Sequence, residues 1–414
     1  MNSLTKDWRM VKIQELTTHT KQRDPRKQPE KPFRYVDVSS VSNTLFKIIS
    51  STGILGSEAP SRARKEIKTK DVLFATVRPT LKRIALVPQE LDGEIASTGY
   101  CVLRSQEDKV VPEFLYYTLL TSSFIKAMGA LERGASYPAI RDTDVFSATI
   151  LLPPLLEQRR IAHVLSTVQT AIEQQERLIA LTRELKVAMM HKLFTEGLRG
   201  EKQKETEIGL IPESWEVAKI NKVYSFTEKR RNSNLPRPIP FIPMELIPTG
   251  QNTITRFETR ETVSSGTYVE NGDLLLAKIT PSFENGKQGI LKIPFETAFA
   301  TTEVIPIKDI EGKSNLLYLH YYLFMPEVRS VMAGKMEGTT GRQRLSKTIV
   351  GEQLLPIPKI IEQEEISKML SIFDEKILIE RQKQEKLEEL FRTLLHQLMT
   401  GQIRVNEIDL PGLS

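Results

Sequence analysis

Apolar side chains recur at steps of four and three along one stretch of this chain. They are Ile161, Leu165, Val168, Ile172, Ile179, Met189 and Leu193, with Gln175, Thr182 and Lys186 at the remaining positions of the walk. A second stretch repeats it with Ile366, Leu370, Phe373, Ile377, Leu387, Phe391, Leu394 and Leu398, interrupted by Glu380 and Gln384. A seam of this period, apolar at both ends and polar midway, predicts a long helix whose partner is another long helix. Pro153 and Pro154 precede the first helix, Pro358 precedes the second, and Gly197 and Gly401 close them. Roughly forty residues at about 1.5 Å each span about 60 Å, longer than one small domain can cover. That length favours a helix pair over two helices lying on separate globular cores.

The two stretches are a repeat. Pro153 through Ile161 aligns with Pro358 through Ile366 at an offset of 205, including Glu157-Gln158 against Glu362-Gln363. The match continues without a gap through Leu185/Leu390, His191/His396, Thr195/Thr400 and Arg199/Arg404. An ungapped repeat implies one rigid element used twice. The flanking regions repeat more faintly. Trp8 through Ile13 resembles Trp215 through Ile220, and Asp71 through Pro79 resembles Asp273 through Pro281, each of the latter a buried strand running into a proline-bounded turn. Leu115, Tyr117, Leu119 and Met128 match Leu319, Tyr321, Leu323 and Met332 at helical spacing, and Gly134-Ala135-Ser136 lines up with Gly338-Thr339-Thr340. The predicted organisation is a mixed α/β (α+β) domain at 1–152, a helix at 153–199, a polar linker at 200–212, a second domain at 213–355, a helix at 356–405 and a tail at 406–414.

With 414 residues, two domains of about 150 residues and two long helices divide the chain comfortably. A single cysteine, Cys101, and scattered histidines argue for a reducing compartment and against structural zinc. No apolar run has the length of a membrane span or the form of a signal peptide, so a cytoplasmic protein without membrane contact is expected. The net charge of +6 is a mild bias toward polyanions. Residues 1–150 hold 23 Lys/Arg against 17 Asp/Glu. Clusters at Arg23 to Arg34 and Arg62 to Lys70 in the first domain, and at Lys229 to Arg237 in the second, sharpen that bias.

Catalytic signatures are missing from the sequence. Position 307, where a phosphate-binding loop ending at Gly312-Lys313-Ser314 needs glycine, is isoleucine. Pro153-Pro154 is followed by leucine rather than the aromatic residue of an adenine methyltransferase loop. Glu66-Ile67-Lys68 has a nuclease-like spacing that arises readily by chance. These residues describe a binder without catalytic residues or a metal site of its own.

One family has this architecture. Leu152-Pro153-Pro154-Leu155-Leu156-Glu157-Gln158-Arg159-Arg160-Ile161-Ala162, a helix ending His191-Lys192-Leu193-Phe194-Thr195, then Glu207-Ile208-Gly209-Leu210-Ile211-Pro212-Glu213-Ser214-Trp215 and the whole unit again, resemble the specificity subunit of type I restriction-modification enzymes. The resemblance covers nearly the full chain. The second helix departs from it at Pro358-Lys359-Ile360 and Glu364-Glu365.

The resemblance implies two target recognition domains, each reading half of a bipartite asymmetric site in double-stranded DNA. The helices are expected to form an antiparallel coiled coil with a pseudo-two-fold between the repeats. Two modification subunits that methylate adenine and, where the system has them, motor-nuclease restriction subunits are the implied partners. S-adenosylmethionine, ATP and Mg are expected on those partners. Candidate DNA-binding residues lie after the matched strands (Arg78, Lys82, Arg83; Lys278, Lys287) and after the matched glycines (Tyr137, Arg141; Arg342, Arg344, Lys347). A competing reading is a DNA- or protein-binding coiled-coil scaffold or regulator outside restriction-modification.

Overall fold

The computed structural model describes residues 7–229, 236–339 and 341–405. The predicted tail at 406–414, with Arg230, Arg231 and Thr340, lies outside the described residues. Two compact units emerge, one of residues 1–176 with 383–414, the other of 177–382. Each therefore contains half of both long helices.

In the first unit, strand Arg9–Lys12 pairs antiparallel with Thr149–Leu152 and closes the domain just before the first long helix, Leu155–Glu196. Two four-stranded sheets follow. One runs in the order Thr17–Thr18, Tyr100–Ser105, Val72–Ala75, Ile84–Leu86; the other Thr52–Leu55, Pro32–Val36, Ile95–Ser97, Ala63–Glu66. Val72 through Ala75 is an unbroken apolar run because both its faces are covered. Val72 and Phe74 face the core shared with the helices, while Leu73 and Ala75 face a second core with Val36 and Tyr100.

The second unit repeats the plan. Glu216–Lys219 pairs with Leu354–Ile357, and the central strand Leu274–Ala277 sits mid-sheet between Val304–Asp309 and Gln288–Leu291. Leu274 and Leu276 face one core and Leu275 the other. The predicted helix in each domain is a pair of helices. Thr121 caps Ser122–Gly129 through its side chain after Pro112–Leu120 ends, and Pro326 opens Pro326–Ala333 after Leu316–Phe324. The expected polar linker contains a hairpin, Gln203–Thr206 against Gly209–Pro212.

The second long helix spans Ile360–Met399. Every seam position from Ile161 to Leu398 named above is buried or half-buried. The helices run antiparallel within each unit. Arg404, beyond the end of the second helix, bonds Glu157 at the start of the first, and Lys186 near the end of the first pairs with Asp374 in the second. The seam is also completed by the domains. Ile161, Leu165, Phe391 and Leu398 join Leu115 and Tyr117 in one core, and Leu193, Ile366 and Leu370 join Tyr318 and Leu319 in the other. Helix pairing and helices lying on globular cores are thus one arrangement.

Glu157-Gln158 and Glu362-Gln363 fasten helix to domain. Gln158 Oε1 accepts from Val111 N at 2.9 Å, and its Nε2 donates to Lys109 O at 3.2 Å and Pro153 O at 2.9 Å. Gln363 accepts from Asn315 N at 3.0 Å and donates to Lys313 O at 3.2 Å and Pro358 O at 3.0 Å. Trp8 Nε1 donates to Glu157 at 2.9 Å and Trp215 Nε1 to Glu362 at 3.3 Å. Gly197 ends the first helix at φ +66, where a Cβ would meet Trp215 and Glu362 at 3.1–3.2 Å.

Candidate nucleic-acid interface

In the first unit the two candidate loops meet. The chain leaves Val72–Ala75 and turns through Pro79–Leu81, with Arg78 and Lys82 on either side in the left-handed region at φ +48 and +55. Non-glycine residues there cost about 1–2 kcal/mol each, and such strain clusters where side chains must be aimed. Arg78 N donates to Pro138 O at 2.8 Å and Ile140 N to Thr76 O at 2.9 Å, so the 133–141 loop is stitched to this turn. The stitching places the Arg78 guanidinium 5.5 Å from the centre of the Tyr137 ring, which is 75% exposed.

An internal ion pair stiffens this edge. Arg133 donates to both Asp144 oxygens at 2.6 and 3.2 Å, and Arg141 N donates to the same carboxylate at 2.8 Å. The Arg133 guanidinium, aided by the Arg141 N–H, holds the Asp144 carboxyl down at about 2. The acid is thereby neutralised locally and the Arg141 side chain is left exposed.

The second unit makes the same junction with other residues. Thr280 N donates to Gln343 O at 3.0 Å, Gln343 N to Thr280 Oγ1 at 3.0 Å, and Leu345 N to Lys278 O at 2.8 Å. The second segment is a hairpin here, Glu337–Thr339 against Arg342–Arg344. Arg329 secures the base of the 281–287 loop, donating to Phe283 O and to Leu323 O at 2.9 Å. Its guanidinium stacks over the Phe283 ring at 4.6 Å, and burial lowers its pKa to about 10.

The candidate residues divide by occupation. Among the described residues, Arg78, Arg141 and Arg342 are exposed and donate no side-chain hydrogen bond. Tyr137 and Lys347 are exposed too, the latter 5.8 Å from the Phe226 ring centre. Lys82 and Lys278 are half-buried. Three are engaged inside the protein. Arg83 donates to the carbonyls of Val38, Ser39 and Val41, and Lys287 donates to Met244 O at 2.7 Å. Arg344 makes a bidentate pair with Glu303, both bonds at 3.0 Å, which lowers the Glu303 pKa. The earlier basic clusters also spend charge internally, with Arg26 and Arg64 on Asp24 at 3.1 and 3.3 Å and Lys65 on Asp142.

Glu157, Gln158, Glu362 and Gln363 emerge as positioning residues that the sequence marked by repetition without indicating a role. No group of three or more His, Cys, Asp or Glu side chains among the described residues could hold a metal ion. No helix among the described residues is long and apolar enough to cross a membrane.

The family model of the type I restriction modification DNA specificity domain matches residues 5–183 and again 212–389. The chain belongs to this family. The MjaVIII specificity subunit of Methanocaldococcus jannaschii is 28% identical over 335 residues, 77% of this chain and 76% of its own length. The putative MjaX specificity subunit of the same organism is 23% identical over 419 residues, 98% of this chain and 96% of its own. A structure solved to explain complex assembly and conformational transition of the type I R-M system superposes with a TM-score of 0.60 at 28% identity, covering 96% of this chain and 99% of that one. The S subunit from M. genitalium, at 16% identity and a TM-score of 0.59, shares the fold, covering 96% of this chain and 97% of its own. This specificity subunit thus carries the family's recognition domain twice, with the long helices common to both.

Proposed function

We propose that each unit reads one half of a bipartite asymmetric site through the edge where its two loops meet. The observation that carries this is the repeated junction, Arg78 with Pro138 and Thr280 with Gln343, which presents different exposed side chains in the two units. Arg78, Tyr137 and Arg141 form the first reading surface, and Arg342 with Lys347 the second. Arginine contacts to phosphates supply affinity that falls with salt, whereas a bidentate arginine at a base edge supplies discrimination of about 1–3 kcal/mol. Arg83, Lys287 and Arg344 act from behind, holding loop backbones through their internal partners.

The long helices act as the ruler between half-sites. A rigid separation turns half-site spacing into geometry, as it does for dimeric repressors. The chain contributes recognition and scaffold to an assembly with two modification subunits and, where present, motor-nuclease subunits. S-adenosylmethionine, ATP and Mg belong to those partners, and the purified chain alone turns over none of them. Methylating a base inside a duplex needs that base flipped out, so the scaffold must accept distorted DNA.

Deleting seven residues from each long helix tests the ruler. Methylation of a randomised-site library by the reconstituted complex should show the same half-sites at an altered gap. An unchanged gap would remove the helices from that role.

A further inference from the structure

At one level of the helix pair the two units use opposite chemistry. In the second unit Lys186 and Asp374 form a buried ion pair, with side chains 6% and 8% exposed. The ammonium lies 4.9 Å from the Tyr321 ring centre and 5.5 Å from that of Phe324, and Tyr321 Oη donates to Asp374 at 2.7 Å. The repeat offset maps Lys186 onto Phe391 and Asp374 onto Gln169. In the first unit these gather around Tyr117. The Phe391 ring lies edge-on at 6.1 Å, and Tyr117 Oη donates to Gln169 Oε1 at 3.0 Å. Gln169 Nε2 donates to Tyr116 Oη at 3.0 Å and Leu45 O at 3.3 Å. The layer is ionic in one unit and neutral in the other.

We infer that this layer selects the partner helix, admitting the first long helix against the second and rejecting either helix against a second copy of itself. A chain that encodes two closely similar helices faces that wrong pairing by construction. Pairing two first helices would set Lys186 against Gln169 and Tyr117 of the other copy, a cation taken from water with no carboxylate opposite. Glu173, one turn from Gln169, is already held by Lys47 at 2.9 Å. Pairing two second helices would set Asp374 against Phe391. Each orphaned buried charge shifts the pairing equilibrium by about a hundredfold or more.

The flanking surface charges pull the other way. Arg183 stands near Arg381, and partial desolvation followed by that like charge lowers the Arg183 pKa. By the offset these match Glu388 and Glu176, so like-helix pairing would set Arg183 against Glu176. Arg183 and Glu176 are exposed and Arg381 and Glu388 half-exposed, where an ion pair changes an equilibrium only by about a few-fold. The buried layer decides.

The test uses full-length chains carrying Lys186→Phe, Asp374→Gln or both, unfolded in urea, with two differently tagged copies of each then refolded together. Each single change should lower the ratio of folded to unfolded protein by about a hundredfold. The double variant, which reproduces the neutral layer of the first unit, should recover most of it. It should also give several-fold more mixed-tag dimer than the parent, because only the surface charges remain to choose between helices. The converse pair, Phe391→Lys with Gln169→Asp, makes both layers ionic. It sets Lys186 of one first helix against the carboxylate introduced at position 169 of another, and should raise the dimer as well. Single variants as stable as the first double variant overturn the inference, as does parental mixed-tag dimer in both double variants. DNA enters neither readout, so failure here leaves the recognition surfaces untouched.

Discussion

The strand at the centre of each domain is preceded by a buried aspartate, and the two aspartates lead different lives. Asp71 receives a bidentate pair from Arg104 at 2.9 and 2.7 Å. Asp273 accepts from Thr227 Oγ1 at 2.8 Å and Glu270 N at 2.7 Å, while Lys308, which stands where Arg104 stands, pairs with Glu270 instead. Burial then pushes the Asp273 carboxyl up to about 6. A second exchange deepens the contrast. At the place of Tyr116 in the first unit the second has His320, whose pKa burial and the cations Lys186 and Arg329 pull down to about 3. The backbone plan is copied faithfully between the units, whereas buried charge is not. The second unit consequently carries two buried groups that titrate differently in the fold and in the unfolded chain between pH 4 and 7.

The largest expected effects come from the tethers, where the copies differ in one cation. Glu157 binds Arg404 through two bonds at 2.6 and 2.9 Å besides Trp8. Among the described residues Glu362 binds only neutral donors, Trp215 Nε1 and Leu198 N, each at 3.3 Å, and Arg199, the counterpart of Arg404, is exposed. Glu157→Ala takes the carboxylate away from a largely buried guanidinium and should cost about 3 kcal/mol. Glu362→Ala leaves two N–H groups unsatisfied and should cost about 1–3 kcal/mol. Glutamine at 362 keeps an acceptor for one of the two N–H groups, whereas at 157 it removes the charge that Arg404 pairs with. Urea unfolding of the four variants measures this, and equal losses at both sites would erase the distinction.

Next in size is the pH response. His320 is neutral in the fold and free to protonate when unfolded, so its contribution is present above about 6.5 and is lost as pH falls toward 3. The slope is about 1.4 kcal/mol per pH unit, or about 2 kcal/mol by pH 5. Asp273 has the opposite sign. Its raised pKa means the fold holds the proton longer than the unfolded chain, so stability increases as pH falls from about 6 to about 4. The two partly cancel in the parent. His320→Gln should expose the Asp273 gain on acidification, and Asp273→Asn should expose the His320 loss. A parent and two variants with parallel stability profiles between pH 4 and 7 would contradict both assignments.

What the sequence disclosed and withheld follows from the range of the interactions. The seam, the fixed offset and the apolar run Val72 to Ala75 are local patterns with a single structural reading. The hairpin at 203–212 hid because its first strand, Gln203–Thr206, is wholly polar and its second, Gly209–Pro212, is only four residues long and ends in proline. Sequence placed the two candidate loops of each domain but not their junction, which rests on backbone bonds between residues about sixty apart. Nor could it show that Arg83, Lys287 and Arg344 are engaged. Their partners, Val38 to Val41, Met244 and Glu303, lie about forty residues away, and composition alone does not tell a cation aimed at a carbonyl from one aimed at solvent. The Glu-Gln repeats were visible as identity; their purpose needed the tryptophan and the loop backbone opposite.

The smallest effect on stability should coincide with the sharpest effect on recognition. Tyr137 covers almost nothing, and its contact with Arg78 is an exposed cation–π pair worth about 0.5–1 kcal/mol. Tyr137→Leu should therefore shift urea unfolding by less than about 1 kcal/mol. If the ring aims Arg78 at a base edge, the same substitution should relax one position of one half-site in the methylated library and leave the other half-site intact. Arg78→Ala then resolves the pair. A phosphate contact predicts uniform weakening and a salt slope smaller by about one, whereas a base contact predicts loss of preference at a single position. Arg342→Ala applies the same question to the second unit, where the cation stands on a hairpin with no aromatic comparable to Tyr137 within the 337–347 segment. The first unit should lose discrimination through either member of its pair and the second through arginine alone. If Tyr137→Leu leaves the site preference unchanged while Arg78→Ala alters it, the ring is a bystander, and both units read by cations held on stitched loops.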